Sequence, residues 1–200
     1  MQTVKKIATS RMPTSHGDFT LHIYRSDNDP QGLQDQVALV AGELKSGQEE
    51  VLVRLHSECL TGDVLGSRRC DCGEQLAKSQ ETISKAGCGV ILYLRGHEGR
   101  GIGLAHKIKA YALQDQGRDT VQANLEQGLP IDARSYELAA AMLRDLGLQR
   151  IQLLTNNPEK VTRLQAAGIS VSRRVPLLIT PNQNNAEYLQ TKRTKLGHYL

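Results

Sequence analysis

Over the first third of the chain, hydrophobic and polar positions alternate in short runs at residues 18–25, 36–44 and 51–56. Polar turn clusters separate them, S-D-N-D-P at 26–30 and K-S-G-Q at 45–48. Period-two runs bounded by turn residues predict strands, and an antiparallel sheet is the simplest arrangement for them. Helical and strand periods alternate from there on. Residues 73–86 are rich in helix formers, with Gly87 placed to end the helix, and 89–94 is a continuous apolar run suited to a strand covered on both faces. A helix is predicted over 103–116, closed by Gly117. Another covers 133–146, with Ala140, Leu143 and Leu146 on one face and Gly147 at its end. A strand at 150–154 leads to Asn157-Pro158, an N-cap followed by a proline at the first helical position, and that helix stops at Gly168. A strand at 169–175 and a helix at 184–196 complete the series. The pattern predicts an α/β fold: a mixed sheet layer with helices and an antiparallel, β-rich N-terminal part. No repeat, low-complexity tract or long linker interrupts it, so residues 1–200 are expected to form one domain.

Composition narrows the function. Aromatic residues make up only 4% of the chain, which leaves few platforms for stacking single-stranded bases. The net charge of +4, from 25 Lys and Arg against 21 Asp and Glu, suits a small anionic substrate better than a nucleic-acid-wrapping surface. No apolar run approaches a membrane span or a signal-peptide core, so a cytoplasmic protein that binds neither membrane nor nucleic acid is expected. In that compartment its four cysteines read as metal ligands or reactive thiols.

Three of those cysteines, Cys59, Cys70 and Cys72, fall within fourteen residues. In an extended stretch Cys70 and Cys72 point the same way, and a turn over 63–67 can return the chain beside Cys59. Three thiolates suit zinc, and three protein ligands leave a fourth position for water, as in catalytic sites. The competing arrangement is a closed structural site completed by Cys88, His56 or Asp71. Cys88 lies between two glycines before an apolar strand and reads more simply as a core thiol. Cations from Arg68, Arg69 or His56 are expected to offset the thiolate charge.

The chain resembles GTP cyclohydrolase II on R-L-H-S-E-C-L-T-G-D at 54–63, R-C-D-C-G-E-Q-L at 69–76 and R-G-H-E-G-R-G-I-G-L at 95–104. The resemblance continues through K-I-x-A-Y-A-L-Q-D-x-G-x-D-T at 107–120, L-L-T-N-N-P-x-K at 153–160 and N-N-x-x-Y-L-x-T-K at 184–192. With about fifty residues ahead of Arg54, the chain resembles the family's stand-alone form rather than its two-domain form. The resemblance implies an α/β homodimer. It also implies conversion of GTP to 2,5-diamino-6-ribosylamino-4(3H)-pyrimidinone 5′-phosphate, formate and diphosphate, the first step of riboflavin biosynthesis. It implies zinc on Cys59, Cys70 and Cys72, and magnesium with the triphosphate.

Carried over residue by residue, the resemblance makes Asp132 a proton acceptor and Tyr111 a participant in the ring chemistry. Arg134 becomes either a nucleophile at the α-phosphate or an electrostatic clamp on the leaving phosphates, and the weak nucleophilicity of a guanidinium favours the clamp. Substrate contacts fall on Arg54, Leu55, His56, Ser57 and Glu58, on Gln75, on Glu98, Gly99 and Arg100, and on Thr120, Thr155 and Lys160. Gln75 and Glu98 are the candidates for reading the guanine edge, and one extra residue before Glu98 leaves His97 without an assigned role. Pattern alone reads several of these positions differently: Asp132 as the N-cap of the 133–146 helix, Tyr111 as a core tyrosine on a face with Leu104 and Ile108, and Lys160 as a solvated lysine. His106 and His198 read as surface residues. The alternatives to the full reaction are a paralogue stopping at the formamide and a non-catalytic, zinc-stabilised module binding nucleotides or RNA.

Overall fold

The computed structural model describes residues 2–45, 48 and 50–199. Ser46 and Gly47 of the turn expected at 45–48 lie outside the described residues. The strands are β1 (Val4–Thr14), β2 (Gly17–Ser26), β3 (Gln36–Ala41), β4 (Val51–Ser57), β5 (Gly89–Leu94), β6 (Arg150–Leu154) and β7 (Ser170–Val175). The helices are α1 (Leu60–Asp63), α2 (Cys72–Lys85), α3 (Leu104–Gln114), α4 (Thr120–Leu125), α5 (Glu137–Asp145), α6 (Pro158–Ala166) and α7 (Ala186–Lys195), with a 3₁₀ turn at Glu98–Arg100. The seven strands make one mixed sheet in the order β1-β2-β3-β5-β4-β6-β7.

The antiparallel reading holds for β2 and β3, which β1 joins at the edge, but not for β4. Instead β3 pairs antiparallel with β5, and β4 lies between β5 and β6, parallel to both. Short alternating runs cannot distinguish these pairings, because each strand's pattern is the same whichever neighbour it meets. β4 is therefore where the chain departs to opposite sides of the sheet, first to β5 and later to β6. A switch point of this kind leaves a crevice beyond the strands' C-terminal ends.

Period-two alternation assigns the two faces. Val90, Leu92 and Leu94 of β5 join one cluster with Val53 and Leu55 of β4 and with Ala139, Ala140 and Leu143 of α5. Ile91 joins Phe19, Leu39 and Ile83 on the face covered by α2. On that second face β4 continues with Arg54 and His56, buried polar side chains where apolar ones would complete the core. A strand that spends two inward positions on a guanidinium and an imidazole has given up hydrophobic stabilisation there, and the site lies beside them.

Several elements differ from the sequence reading, the short α1 among them. β1 was not predicted, because most of its residues are exposed and its pattern has no apolar alternation; it forms an edge held by pairing with β2. The run at 36–44 ends as a strand at Ala41. α4 was also missed, although its start carries a capping box, with the Asp119 side chain accepting from the Val121 and Gln122 amides and Gln122 reaching back to the Asp119 amide. The helix expected from 133 begins only at Glu137, with Tyr136 at its N-cap, so Asp132 is not a cap. The reason is local: Asp132 accepts from the Arg134 amide at 3.1 Å, forming a turn that competes with helix initiation.

Candidate active site

A cavity of about 140 Å³ opens at the ends of β4, β5 and β6, between the Cys59 loop, the glycine-rich turn and α7. The first wall is the cysteine cluster. The Sγ atoms of Cys59, Cys70 and Cys72 lie within 4.8 Å of one another, and Cys59 and Cys70 are 3.8 Å apart. Tetrahedral zinc with Zn–S bonds of about 2.3 Å places its sulfurs about 3.8 Å apart, so the donor set fits that ion. The geometry does not come from an extended 70–72 segment. Cys72 is the first residue of α2, and the turn before the helix brings both thiols to one side. Gly62 makes room: a Cβ there would meet Cys70 Sγ at 2.8 Å and Cys59 Sγ at 3.2 Å.

None of the fourth ligands weighed for a closed site joins the cluster. Cys88 is half-buried at the far end of β5, within 3.5 Å of the Glu43 carbonyl, and so is neither a ligand nor a fully buried core thiol. Asp71 pairs with Lys192 at 2.8 Å and accepts from Gln75. His56 Nε2 lies 3.0 Å from Asp63, and its Nδ1, though buried, has no partner among the described residues. Asp63 also accepts from the Cys59 amide at 3.0 Å and from the Tyr93 hydroxyl at 2.9 Å, which anchors the loop to β4 and β5.

The offsetting cation is Lys107, which the sequence reading passed over. Its Nζ donates to Glu98 at 2.6 Å, to Thr61 at 2.7 Å and to Cys59 Sγ at 3.1 Å. Burial works against its charge, yet the Glu98 bond and the Cys59 thiolate raise its pKa above the ordinary lysine value. Hydrogen bonds from the Cys70 and Cys72 thiols, and then Lys107, pull Cys59 far down into the thiolate form. Of the cations expected to do this, Arg68 is exposed, Arg69 pairs with Asp115, and burial drives His56 toward its neutral form.

Residues 98–101 form a tight turn, with Gly99, Arg100 and Gly101 all at positive φ. Glu98 has both carboxylate oxygens engaged, one on Lys107 and one on the Leu60 amide. Gln75 accepts from Arg54 and donates to Asp71, which leaves it one amide N–H beside the cavity. Tyr111 is not a core tyrosine. Leu104 and Ile108 of its expected face are exposed, while the Tyr111 ring borders the cavity with Arg69 at 4.7 Å and Lys107 at 5.6 Å.

The opposite wall is cationic. Arg134 binds Asp132 through its Nε at 2.9 Å and through its terminal nitrogen, and donates to Ser57 at 3.3 Å. Burial opposes ionisation of both partners, but the pair prevails: Asp132 is held below the usual carboxylate range and Arg134 above its ordinary value. Asp132 lies behind Arg134 rather than on the cavity, and Leu55 has its side chain in the core and only its carbonyl turned to Lys160. Lys160 is fully buried rather than solvated. Among the described residues its one acceptor is that carbonyl, at 2.7 Å, and burial together with Arg54 and Arg134 drives its pKa well down. Arg54 is held down to about 10, burial being the main cause. Thr155 accepts from the Asn157 amide, and Thr120 opens α4 beside the cavity. Around the whole cavity six basic side chains (Arg54, Arg100, Lys107, Arg134, Lys160 and Lys192) meet two carboxylates, Glu58 and Glu98.

His97 and His198 also border the cavity, so His198 is not a surface residue. Burial, then Arg134 and Lys160 for His97, and Lys192 and Arg100 for His198, hold both at about 3. Rings so depressed stay neutral in the fold and take a proton on unfolding below about 6.5, so the unfolded chain binds more protons there. Their contribution is complete above that value and is lost as pH falls toward 3. Urea unfolding should therefore show stability decreasing between pH ~7 and ~5, by up to about 1.4 kcal/mol per pH unit for each ring. A His97→Asn/His198→Gln chain should show a flatter slope. An unchanged slope would mean that these rings are solvated.

Comparison with known proteins places similar sequences in riboflavin biosynthesis. A family model described as GTP cyclohydrolase II matches residues 5–176. Riboflavin biosynthesis protein RibBA of Salinispora tropica is 55% identical over 197 residues, covering 98% of this chain and 48% of that protein. The bifunctional riboflavin biosynthesis protein RIBA 1, chloroplastic, of Arabidopsis thaliana is 54% identical over 195 residues, covering 98% of this chain and 35% of that protein. The monofunctional RIBA 3, chloroplastic, of the same plant is 53% identical over 195 residues, covering 98% and 38%. The chain thus spans between about a third and a half of the length of these relatives.

Proposed function

The chain belongs to the GTP cyclohydrolase II family, and from that premise we propose that its cavity binds GTP and converts it to the diaminopyrimidinone ribosylamino phosphate, formate and diphosphate. The observation that carries this reading is the pairing of a three-thiol cluster with an excess of buried cations in one cavity. Buried Lys160 has no carboxylate partner among the described residues, so a polyanion is the ligand that would satisfy it. A triphosphate, accompanied by magnesium, supplies that charge at the cationic wall, while the purine reaches toward the thiols.

Cys59, Cys70 and Cys72 would hold zinc, which when bound supplies Lewis acidity for attack of water at the purine carbon. The remaining work falls to side chains. Arg134, kept protonated by Asp132, clamps the leaving phosphates as water displaces diphosphate from the α-phosphorus. A protonated guanidinium has no lone pair to offer, which supports the clamp over the nucleophile. Lys107 holds Cys59 as thiolate and fixes Glu98, and through it the Leu60 amide at the start of the Cys59 loop. Tyr111 remains a phenol, since burial raises its pKa, and so can pass a hydrogen bond to the opening ring. Arg54, His56, Ser57, Glu58, Gly99, Arg100, Thr120 and Thr155 complete the contacts in this reading, and Gln75 orients Arg54.

The reading takes residues 1–200 as one catalytic unit acting as a cytoplasmic homodimer. Its four free thiols suit a reducing compartment, and no helix among the described residues is long and apolar enough to cross a membrane. Exposed Leu104 and Ile108 on α3 offer apolar surface for a second copy to cover. Incubation with GTP, Mg²⁺ and Zn²⁺ tests the activity: formate and diphosphate should form in equal amounts. Diphosphate without formate would indicate the early-stopping paralogue. Neither product would leave a binding module and overturn the proposal.

A further inference from the structure

The family match ends at residue 176, yet the chain beyond it walls the cavity. α7 buries only Leu189 and Lys192, far too little apolar surface to hold a helix in place. Polar contacts dock it instead, each to a part of the site. Lys192 pairs with Asp71, between Cys70 and Cys72, at 2.8 Å. Lys195 pairs with Asp119, the cap of α4. After the helix, the Tyr199 amide donates to the Asn156 carbonyl at 2.9 Å, and the Arg174 guanidinium covers the Tyr199 ring at 4.7 Å. These contacts set His198 at the cavity wall.

Two side chains of this wall hold unused donors. Lys192 gives one N–H to Asp71 and lies 4.4 Å over the Tyr188 ring; no other protein acceptor takes its remaining donors among the described residues. The His198 ring makes no side-chain hydrogen bond among the described residues, and Arg100, Arg134, Lys160 and Lys192 are its charged neighbours. Among the described residues no acceptor takes the His198 ring N–H, and the basic side chains that line the cavity with it, Arg100, Arg134 and Lys192, favour an anion with several oxygens.

We infer that Lys192 and His198 are substrate-binding residues that donate to phosphate oxygens, so that the C-terminal segment forms one side of the polyphosphate site. This deepens the reading of GTP as substrate and rests on it. Lys192 has a second consequence, since its bond to Asp71 links the phosphate wall to the loop carrying Cys70 and Cys72.

Inorganic tripolyphosphate and guanosine, each used as a competitor of GTP turnover by the full chain, separate phosphate contact from general support of the site. His198→Gln and Lys192→Met should each raise the inhibition constant of tripolyphosphate about tenfold or more, with guanosine within about twofold of wild type. Arg193→Gln removes a cation from the outer side of the same helix and should change neither. Zinc content measured alongside should stay unchanged in His198→Gln, which keeps the test valid if Lys192→Met disturbs the cysteine loop. Equal weakening of both competitors in His198→Gln would make the wall structural and overturn the inference, as would an unchanged tripolyphosphate constant. A wild-type chain that releases neither diphosphate nor formate overturns the GTP reading itself, whereas normal wild-type turnover with an unaffected His198→Gln removes only the C-terminal contact.

Discussion

Replacing Cys70 with serine should empty the metal centre and reduce formate release on the order of 10³-fold or more, a loss of about 4 kcal/mol of barrier lowering. Cys70 is buried, and its sulfur is one edge of the 3.8 Å pair that matches tetrahedral spacing. A serine oxygen is nearly isosteric but remains protonated at neutral pH, and zinc is borderline-soft, so the exchange removes a ligand while disturbing the packing little. Metal analysis should fall from about one zinc per chain to a small fraction. The cations at the other wall are untouched, so diphosphate release should survive better than formate release, and the ratio of the two products is the sharper measurement. A Cys70→Ser chain that keeps its zinc and its formate yield would separate the cluster from the chemistry.

Lys107→Met should be the most destabilising single change at the site. The ammonium is buried and serves Glu98, Thr61 and the Cys59 thiolate together. Removing it leaves a carboxylate and a thiolate buried without their cation, and breaking one side of a buried pair costs about 3–5 kcal/mol. For a chain of this length a kcal/mol corresponds to about 2–4 °C, so Tm should fall on the order of 10 °C. Because the lysine's pKa lies above its ordinary value, the penalty should be flat between pH ~7 and ~9. Adding Glu98→Gln should recover part of the loss, since the orphaned charge disappears, and the double-mutant cycle measures the coupling. Thermal denaturation showing Lys107→Met within a degree or two of wild type would mean that water reaches the trio.

Much of the site was legible before any coordinates. The thiol triplet and the Asn157-Pro158 helix start carry strong local signals, because each depends on residue types at short spacing. Misreadings arose where competing local rules gave plausible answers. Asp132 has the composition of an N-cap, but its side chain is captured two residues later by Arg134. Lys160 and His198 look solvated in a polar sequence context, yet both end in the cavity because the elements that carry them pack there. Lys107 was passed over because its position in a helical repeat does not reveal that the facing residue is a thiolate from a loop 48 positions earlier.

The chain by itself determined the alternation of strands and helices, the three-sulfur donor set and the excess of cations over acids, since backbone preference and side-chain chemistry belong to single residues and their near neighbours. Tertiary structure alone decided that β4 lies parallel between β5 and β6, that Lys107 rather than Arg68 or Arg69 faces Cys59, and that α7 returns to wall the cavity. Those outcomes depend on which surfaces bury one another between residues far apart in the chain, 48 positions for Lys107 with Cys59 and 121 for Lys192 with Asp71, and no local pattern encodes such a pairing.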